Sequence, residues 1–175
     1  NPLEQALGPE LGALYAAIHR DHGVDVRTGV AVAAIEGERR VERVRLADGS
    51  VLPADLVVVG IGVRPETAWL EGSGIEVQDG VVCDASCATG VPGIVAAGDV
   101  ARWMNPRYGE SMRVEHWSNA VEQAQAAVAR LLDGPEAAKP FDPVLYVWSD
   151  QYDTKLAVAG RPRAGDDGGK PAPAR

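Results

Sequence analysis

Leu11, Leu14, Tyr15 and Ile18 recur at i, i+3, i+4 and i+7, so the chain predicts an amphipathic helix over residues 9–22. Pro9 suits its first turn, and Gly23 can close it as a left-handed cap. Short extended runs follow at Val24–Val26 and Val30–Ile35, and Val41–Leu46 alternates as VERVRL, the pattern of a half-exposed strand. Asp48-Gly49 then forms a hairpin turn into Ser50-Val51-Leu52. These pieces predict a small antiparallel meander.

Residues 55–60, DLVVVG, differ in kind. Four consecutive apolar residues without alternation predict a strand buried on both faces, as in a parallel sheet, and Gly60, Gly62 and Pro65 end it. A short helix is expected over residues 66–71, before Gly72 and Gly74. Residues 91–99, VPGIVAAGD, read as a turn, a short buried strand and a closing Gly98-Asp99. A second amphipathic helix is expected over 119–132, with Val121, Ala124, Val128, Leu131 and Leu132 on its apolar face. Asn119 and Glu122 match a capping box at its start, and Gly134-Pro135 stops it. Pro135, Pro140 and Pro143 mark a boundary, followed by strands at 144–148 and 155–159. Residues 161–175 offer almost nothing to bury and read as a disordered tail. No internal repeat is evident.

Composition narrows the classes. Of 175 residues, 46% are hydrophobic and 24% charged, which excludes wholesale disorder. The net charge of −8 argues against nucleic acid as the main partner, since phosphate binding wants clustered Lys and Arg. No run of 18 apolar residues offers a membrane span, and no secretory leader opens the chain. With 20 glycines and 12 prolines, the chain fits a turn-rich α/β protein. Cys83 and Cys87 have neither CxxC nor zinc-site spacing, and His19, His22 and His116 complete no metal set, so no metal ligand is assigned. Two small apolar residues in a reducing cytosol is the preferred reading of the cysteines.

Three places carry candidate chemistry. Gly98-Asp99 ends a buried strand, where ligands of open α/β sheets bind, and its carboxylate can accept a sugar-type hydroxyl. The alternative is a turn Asp that caps the next segment. Glu115-His116-Trp117 lies just ahead of the second helix, whose free amides and partial positive charge suit an electron-rich ring edge. From the residues alone His116 is better read as a capping or surface residue, and no proton-transfer role is assigned to it. Trp148 sits at a strand end as either a core residue or a cofactor wall. Gly60-Ile61-Gly62 is not a GxGxxG, because no βαβ pattern frames it.

Four ordered segments, DLVVVGIGVRP (55–65), TGVPGIVAAGD (89–99), RVEHWSNAVEQ (113–123) and YVWSDQY (146–152), resemble the FAD-dependent pyridine nucleotide-disulfide oxidoreductase superfamily. Within it the pattern is similar to the ferredoxin and rubredoxin reductases of bacterial oxygenase systems, over about residues 1–160. The resemblance implies an α/β fold of partial Rossmann-like FAD- and NAD(P)-binding domains of glutathione-reductase type. An antiparallel meander and the start of an α+β C-terminal domain would accompany them. Residues 1–62 would be the C-terminal part of the NAD(P) domain and 63–138 the second segment of the FAD domain. Residues 139–160 would start the interface domain, and 161–175 would form the tail.

The same resemblance implies cofactors, partners and contacts. FAD would be held by Gly98, Asp99, Glu115, His116, Trp117 and Trp148, with Asp99 on the ribityl chain and the Trp117 backbone at the pyrimidine edge. Gly62 would pass the nicotinamide of NAD(P)H. No catalytic side chain is assigned. The electron acceptor would be a ferredoxin- or rubredoxin-type iron–sulfur protein, with no nucleic-acid or membrane partner, in the cytoplasm. No GxGxxG occurs in the chain, so it reads as the middle-to-late part of such an enzyme, inactive alone and with exposed apolar sheet edges. The alternatives are an NADH oxidase or disulfide reductase of the same superfamily, or an inert binding or dimerisation module.

Overall fold

The computed structural model describes residues 8–161. The fold is a mixed helix-and-sheet one, divided into two compact units whose described parts are residues 8–61 and 62–161. Of the tail expected at 161–175, residues 162–175 lie outside the described residues.

In the first unit, helix α1 (Pro9–Asp21) starts on the predicted proline, and Gly23 adopts φ 81° just beyond its end. Its buried side is Gly12, Tyr15 and Ala16, whereas Leu11 and Leu14 of the predicted stripe are exposed. Residues 24–26 form no strand. The meander is present: β1 (Val32–Glu36), β2 (Arg43–Leu46) and β3 (Val51–Pro53) pair antiparallel in the order β1-β2-β3. Its second turn closes through Asp48, whose Oδ1 accepts the Ser50 amide at 2.9 Å, with Gly49 at φ 88°. Glu36 clamps the first pair by accepting from Arg43 Nε at 2.8 Å and Arg45 Nε at 2.7 Å.

Residues 55–60 correct the expectation of a buried parallel strand. They form no ladder, and Leu56, Val58 and Val59 are 80%, 88% and 62% exposed. A strand buried on both faces needs parallel neighbours. The antiparallel meander supplies none.

The second unit is organised by a sheet that the sequence pattern concealed. In it β4 (Val81–Cys83) runs parallel to β5 (Ala101–Asn105), which pairs antiparallel with β6 (Glu110–Arg113). Its core centres on Trp103, fully buried with Cys83, Cys87, Met112, Phe141 and Ala127 in one cluster. The Trp103 Nε1 donates to the Phe141 carbonyl at 3.1 Å, and the two rings lie 5.7 Å apart. Gly80 is required where this sheet begins, because it sits at φ 118° and a Cβ there would lie 2.6 Å from the Val100 carbonyl oxygen.

Helix α2 (Trp117–Asp133) begins two residues before the expected start, with His116 at its N-cap. The Asn119/Glu122 capping box is therefore not formed. Asn119 lies inside the first turns, buried, and its Nδ2 is 3.5 Å from the Val114 carbonyl. The buried stripe of α2 is Asn119, Gln123 and Ala127, while Val121, Val128, Leu131 and Leu132 of the expected apolar face are exposed, Leu132 by 80%. The polar stripe goes inward because it satisfies backbone groups of the 98–114 region, as the site below shows. Two other expectations shrink: 66–71 contains a single 3-10 turn, Ala68–Leu70, and within 91–99 only an isolated Ala88–Val95 bridge forms before a 3-10 turn at Gly98–Val100. The predicted last strands are a hairpin, β7 (Tyr146–Gln151) with β8 (Thr154–Ala159). Among the described residues, no helix is long and apolar enough to cross a membrane, and no group of three metal-binding side chains converges.

Candidate functional site

Three pieces of the second unit meet at the start of α2. The first is the Gly98–Val100 turn. Gly98 takes φ 77°, a conformation that favours glycine, and its amide donates to Gln123 Oε1 at 2.9 Å. The next residue, Asp99, is exposed, and its backbone carbonyl accepts from Arg113 at 3.1 Å.

The second piece is the approach from β6 into α2. Arg113, with only 11% of its side chain exposed, pairs with Glu115 Oε1 at 2.5 Å and with Asp79 Oδ1 at 3.5 Å. One guanidinium thus ties Glu115 to the Asp99 backbone. Arg102 reaches the same Asp79 at 3.1 Å and holds its carboxyl below the usual range. His116 carries no side-chain cap, and its Nδ1 is buried without a hydrogen-bond partner. Burial lowers its pKa, against the raising effect of Asp99 and Glu115 beside it, so neutral imidazole is favoured at pH 7. No side chain caps the first amides of α2, and a helix N-terminus of this kind carries partial positive charge.

The third piece is aromatic. Trp117 and Trp148 meet edge to face at 6.2 Å, and Trp148 stacks with Tyr146 at 5.8 Å. Ser118 Oγ donates to the Tyr146 carbonyl at 2.8 Å, which fastens the β7–β8 hairpin to the first turn of α2. Trp117 remains 74% exposed and Trp148 40% exposed, so the pair forms a surface rather than a core.

Gly98, Asp99, Glu115, His116, Trp117 and Trp148 are therefore brought together. Gly62 is not: it stands at φ 95° in the exposed segment after residue 60, where a Cβ would meet nothing within 4 Å. The sequence reading missed Arg113, Asp79 and Gln123. Two signals were present. Arg113 and Glu115 share one side of an extended chain at a spacing of two, and Asn119, Gln123 and Ala127 form an i, i+4, i+8 stripe of small or polar residues.

The donor set matches a ligand with hydroxyls and an electron-rich flat ring. An exposed carboxylate, uncapped helix amides and an aromatic surface lie around one helix end, so these residues fit the ribityl and ring portions of a flavin.

The family model described as pyridine nucleotide-disulphide oxidoreductase matches residues 1–124. The chain is 43% identical to the ferredoxin reductase subunit of 5,5'-dehydrodivanillate O-demethylase from Sphingobium sp. over 169 residues, 94% of this chain and 40% of that protein. The solved ferredoxin reductase of a Rhodopseudomonas palustris system superposes with a TM-score of 0.83 at 39% identity, covering 91% of this chain and 39% of that one. The covalent putidaredoxin reductase–putidaredoxin complex gives a TM-score of 0.82 at 37% identity, covering 91% and 38% of the two chains. The chain spans about 40% of the length of the curated relatives it matches.

Proposed function

This chain belongs to the pyridine nucleotide-disulphide oxidoreductase family, and we propose that it serves in an NAD(P)H-dependent, FAD-containing ferredoxin reductase of a bacterial oxygenase system. The observation that carries the proposal is the convergence of Asp99, the α2 N-terminus and the Trp117–Trp148 surface. Bound FAD would supply the redox chemistry, taking a hydride from NAD(P)H and passing electrons singly to a ferredoxin-type iron–sulfur protein.

The chain's own residues would bind and orient. The Asp99 carboxylate accepts a ribityl hydroxyl, and Gly98 lets the backbone approach. The Trp117 amide would face the edge of the ring, and the partial positive charge of α2 would favour electron density there. Arg113 keeps Glu115 and the Asp99 carbonyl in register. Neutral His116 adds no positive charge at this edge, which leaves the helix amides as the electrostatic partner. Trp148 lines the face open to the acceptor, and Gly62 lies along the nicotinamide path. In domain terms, residues 1–62 complete an NAD(P) domain, 63–138 the FAD domain, and 139–160 open an interface domain. The cytoplasm is the compartment we propose, since two buried free thiols suit a reducing milieu.

A dithiol mechanism finds no support in this chain. Burial pushes the Cys83 thiol up to about 11 and the Cys87 thiol to about 12, so neither offers a thiolate at neutral pH. The test is spectroscopic and kinetic. The purified reductase should carry a flavin absorption band and reduce cytochrome c from NAD(P)H only when a ferredoxin is added. A colourless protein, or one that prefers a dithiol substrate, overturns the proposal.

A further inference from the structure

We infer that Gln123 is the positioning residue of this site, the side chain that locks the turn carrying Asp99 to the helix whose first amides face the same ligand. The inference rests on the flavin reading only for its consequence on cofactor binding; the lock itself stands on geometry.

Gln123 is fully buried on the inner stripe of α2. Its Oε1 accepts the Gly98 amide at 2.9 Å and lies 3.5 Å from Asn119 Nδ2. That same Nδ2 is 3.5 Å from the Val114 carbonyl, at the point where the chain leaves β6 toward Glu115 and Trp117. One oxygen thus joins both arms of the site, the 98–99 turn and the 114–117 approach.

The lock matters because Arg113 holds the Asp99 carbonyl, whereas among the described residues Gln123 is the acceptor of the Gly98 amide. Only an isolated bridge at Val95 precedes it, so no strand ladder pairs it, and the acceptor it finds is a side chain 25 residues away. Gly98 also sits at φ 77°, where glycine gains freedom and therefore needs an external constraint. A backbone amide left without an acceptor in such a place favours rearrangement of the turn. Asp99 is the next residue, so movement of the turn displaces its carboxylate relative to α2.

The experiment uses the 175-residue chain, labelled with 15N. Gln123→Leu removes the acceptor at similar bulk, whereas Gln123→Glu keeps an oxygen in the same place. Amide hydrogen exchange is read at Gly98, Asp99 and Trp103, and each variant is titrated with FAD by quenching of flavin fluorescence. In Gln123→Leu, exchange at Gly98 should quicken by about tenfold or more and FAD binding weaken by about tenfold, with Trp103 unchanged. Gln123→Glu should restore most of both at pH 5, where a buried unpaired carboxyl stays neutral. Unchanged exchange at Gly98 overturns the inference, as does loss of protection at Trp103, which would make Gln123 a general core residue. A looser Gly98 with unaltered FAD affinity overturns the link to the site. A wild-type chain that shows no saturable quenching counts against flavin binding by this chain, and the exchange measurements then decide the lock alone.

Discussion

Trp117 and Trp148 meet edge to face with ring centroids 6.2 Å apart and planes at 83°. The first opens α2 and the second lies mid-way along β7, so the contact joins two elements that the sequence places 31 residues apart. Both rings keep a large exposed area, and together with Tyr146 they form an aromatic surface beside uncapped helix amides.

The pair should be energetically coupled. Aromatic pairs of this geometry contribute about 0.5–1.5 kcal/mol beyond the area they bury. A double-mutant cycle of Trp117→Ala and Trp148→Ala, read by urea unfolding, should return about 1 kcal/mol of coupling, and a value near zero would mean the rings do not rest on each other.

Asp99 should matter for ligand and little for folding. Its side chain is exposed, so Asp99→Ala should change stability by less than about 0.5 kcal/mol. In the flavoprotein, loss of a charge-assisted hydrogen bond of about 1.5–3 kcal/mol should weaken FAD binding roughly ten- to a hundredfold. Flavin occupancy after dialysis measures it, and undiminished occupancy would remove Asp99 from the site.

The Asp79 ion pairs should make the β4–β6 region acid-sensitive. Arg102 first, and Arg113 beside it, hold the Asp79 carboxyl below its usual value. A depressed folded pKa means the unfolded chain takes up a proton first. The stabilisation is therefore complete above the ordinary carboxylate pKa of about 4 and is lost as pH falls below it. Unfolding curves at pH 6 and pH 3.5 should show the loss, and Asp79→Asn should flatten that difference.

The cysteines should be inert in the folded protein and titrate with the opposite sign. Their folded pKa values, about 11 for Cys83 and about 12 for Cys87, lie above those of unfolded thiols. Stability is thus full below about pH 8.5 and declines as pH rises above it, because only the unfolded chain ionises there. Ellman's reagent at pH 8 should label neither thiol until denaturant is added. Cys83→Ser should leave hydride transfer from NAD(P)H to flavin unchanged in the reductase, and a collapse there would restore a dithiol mechanism.

The local elements were legible because their signals are local. Alternation and an Asp-Gly turn specify the β1–β3 meander within about twenty residues, and the 3.6-residue period with Gly and Pro stops marks α1 and α2. The motif strings likewise pointed to six residues that the structure gathers at one helix end. The run at 55–60 read as a buried strand because its composition is that of one, but a parallel strand takes its burial from neighbours distant in sequence.

What only tertiary structure decided was which face of each helix turns inward and which pieces of chain become neighbours. Hydrophobicity placed Val128 and Leu132 inside α2, yet Asn119 and Gln123 are the buried side, because the Gly98 amide and Val114 carbonyl need partners that leucine cannot supply. The β4–β5–β6 sheet was hidden for a related reason: three- to five-residue strands carry too few positions to show a period, and the β4–β5 pairing spans about twenty residues of irregular chain. Sequence by itself determined the meander, the two helices and the family to which the chain belongs. The meeting of Asp99, Arg113, Gln123 and the two tryptophans came from satisfying buried polar groups across the fold, a constraint that no local pattern records.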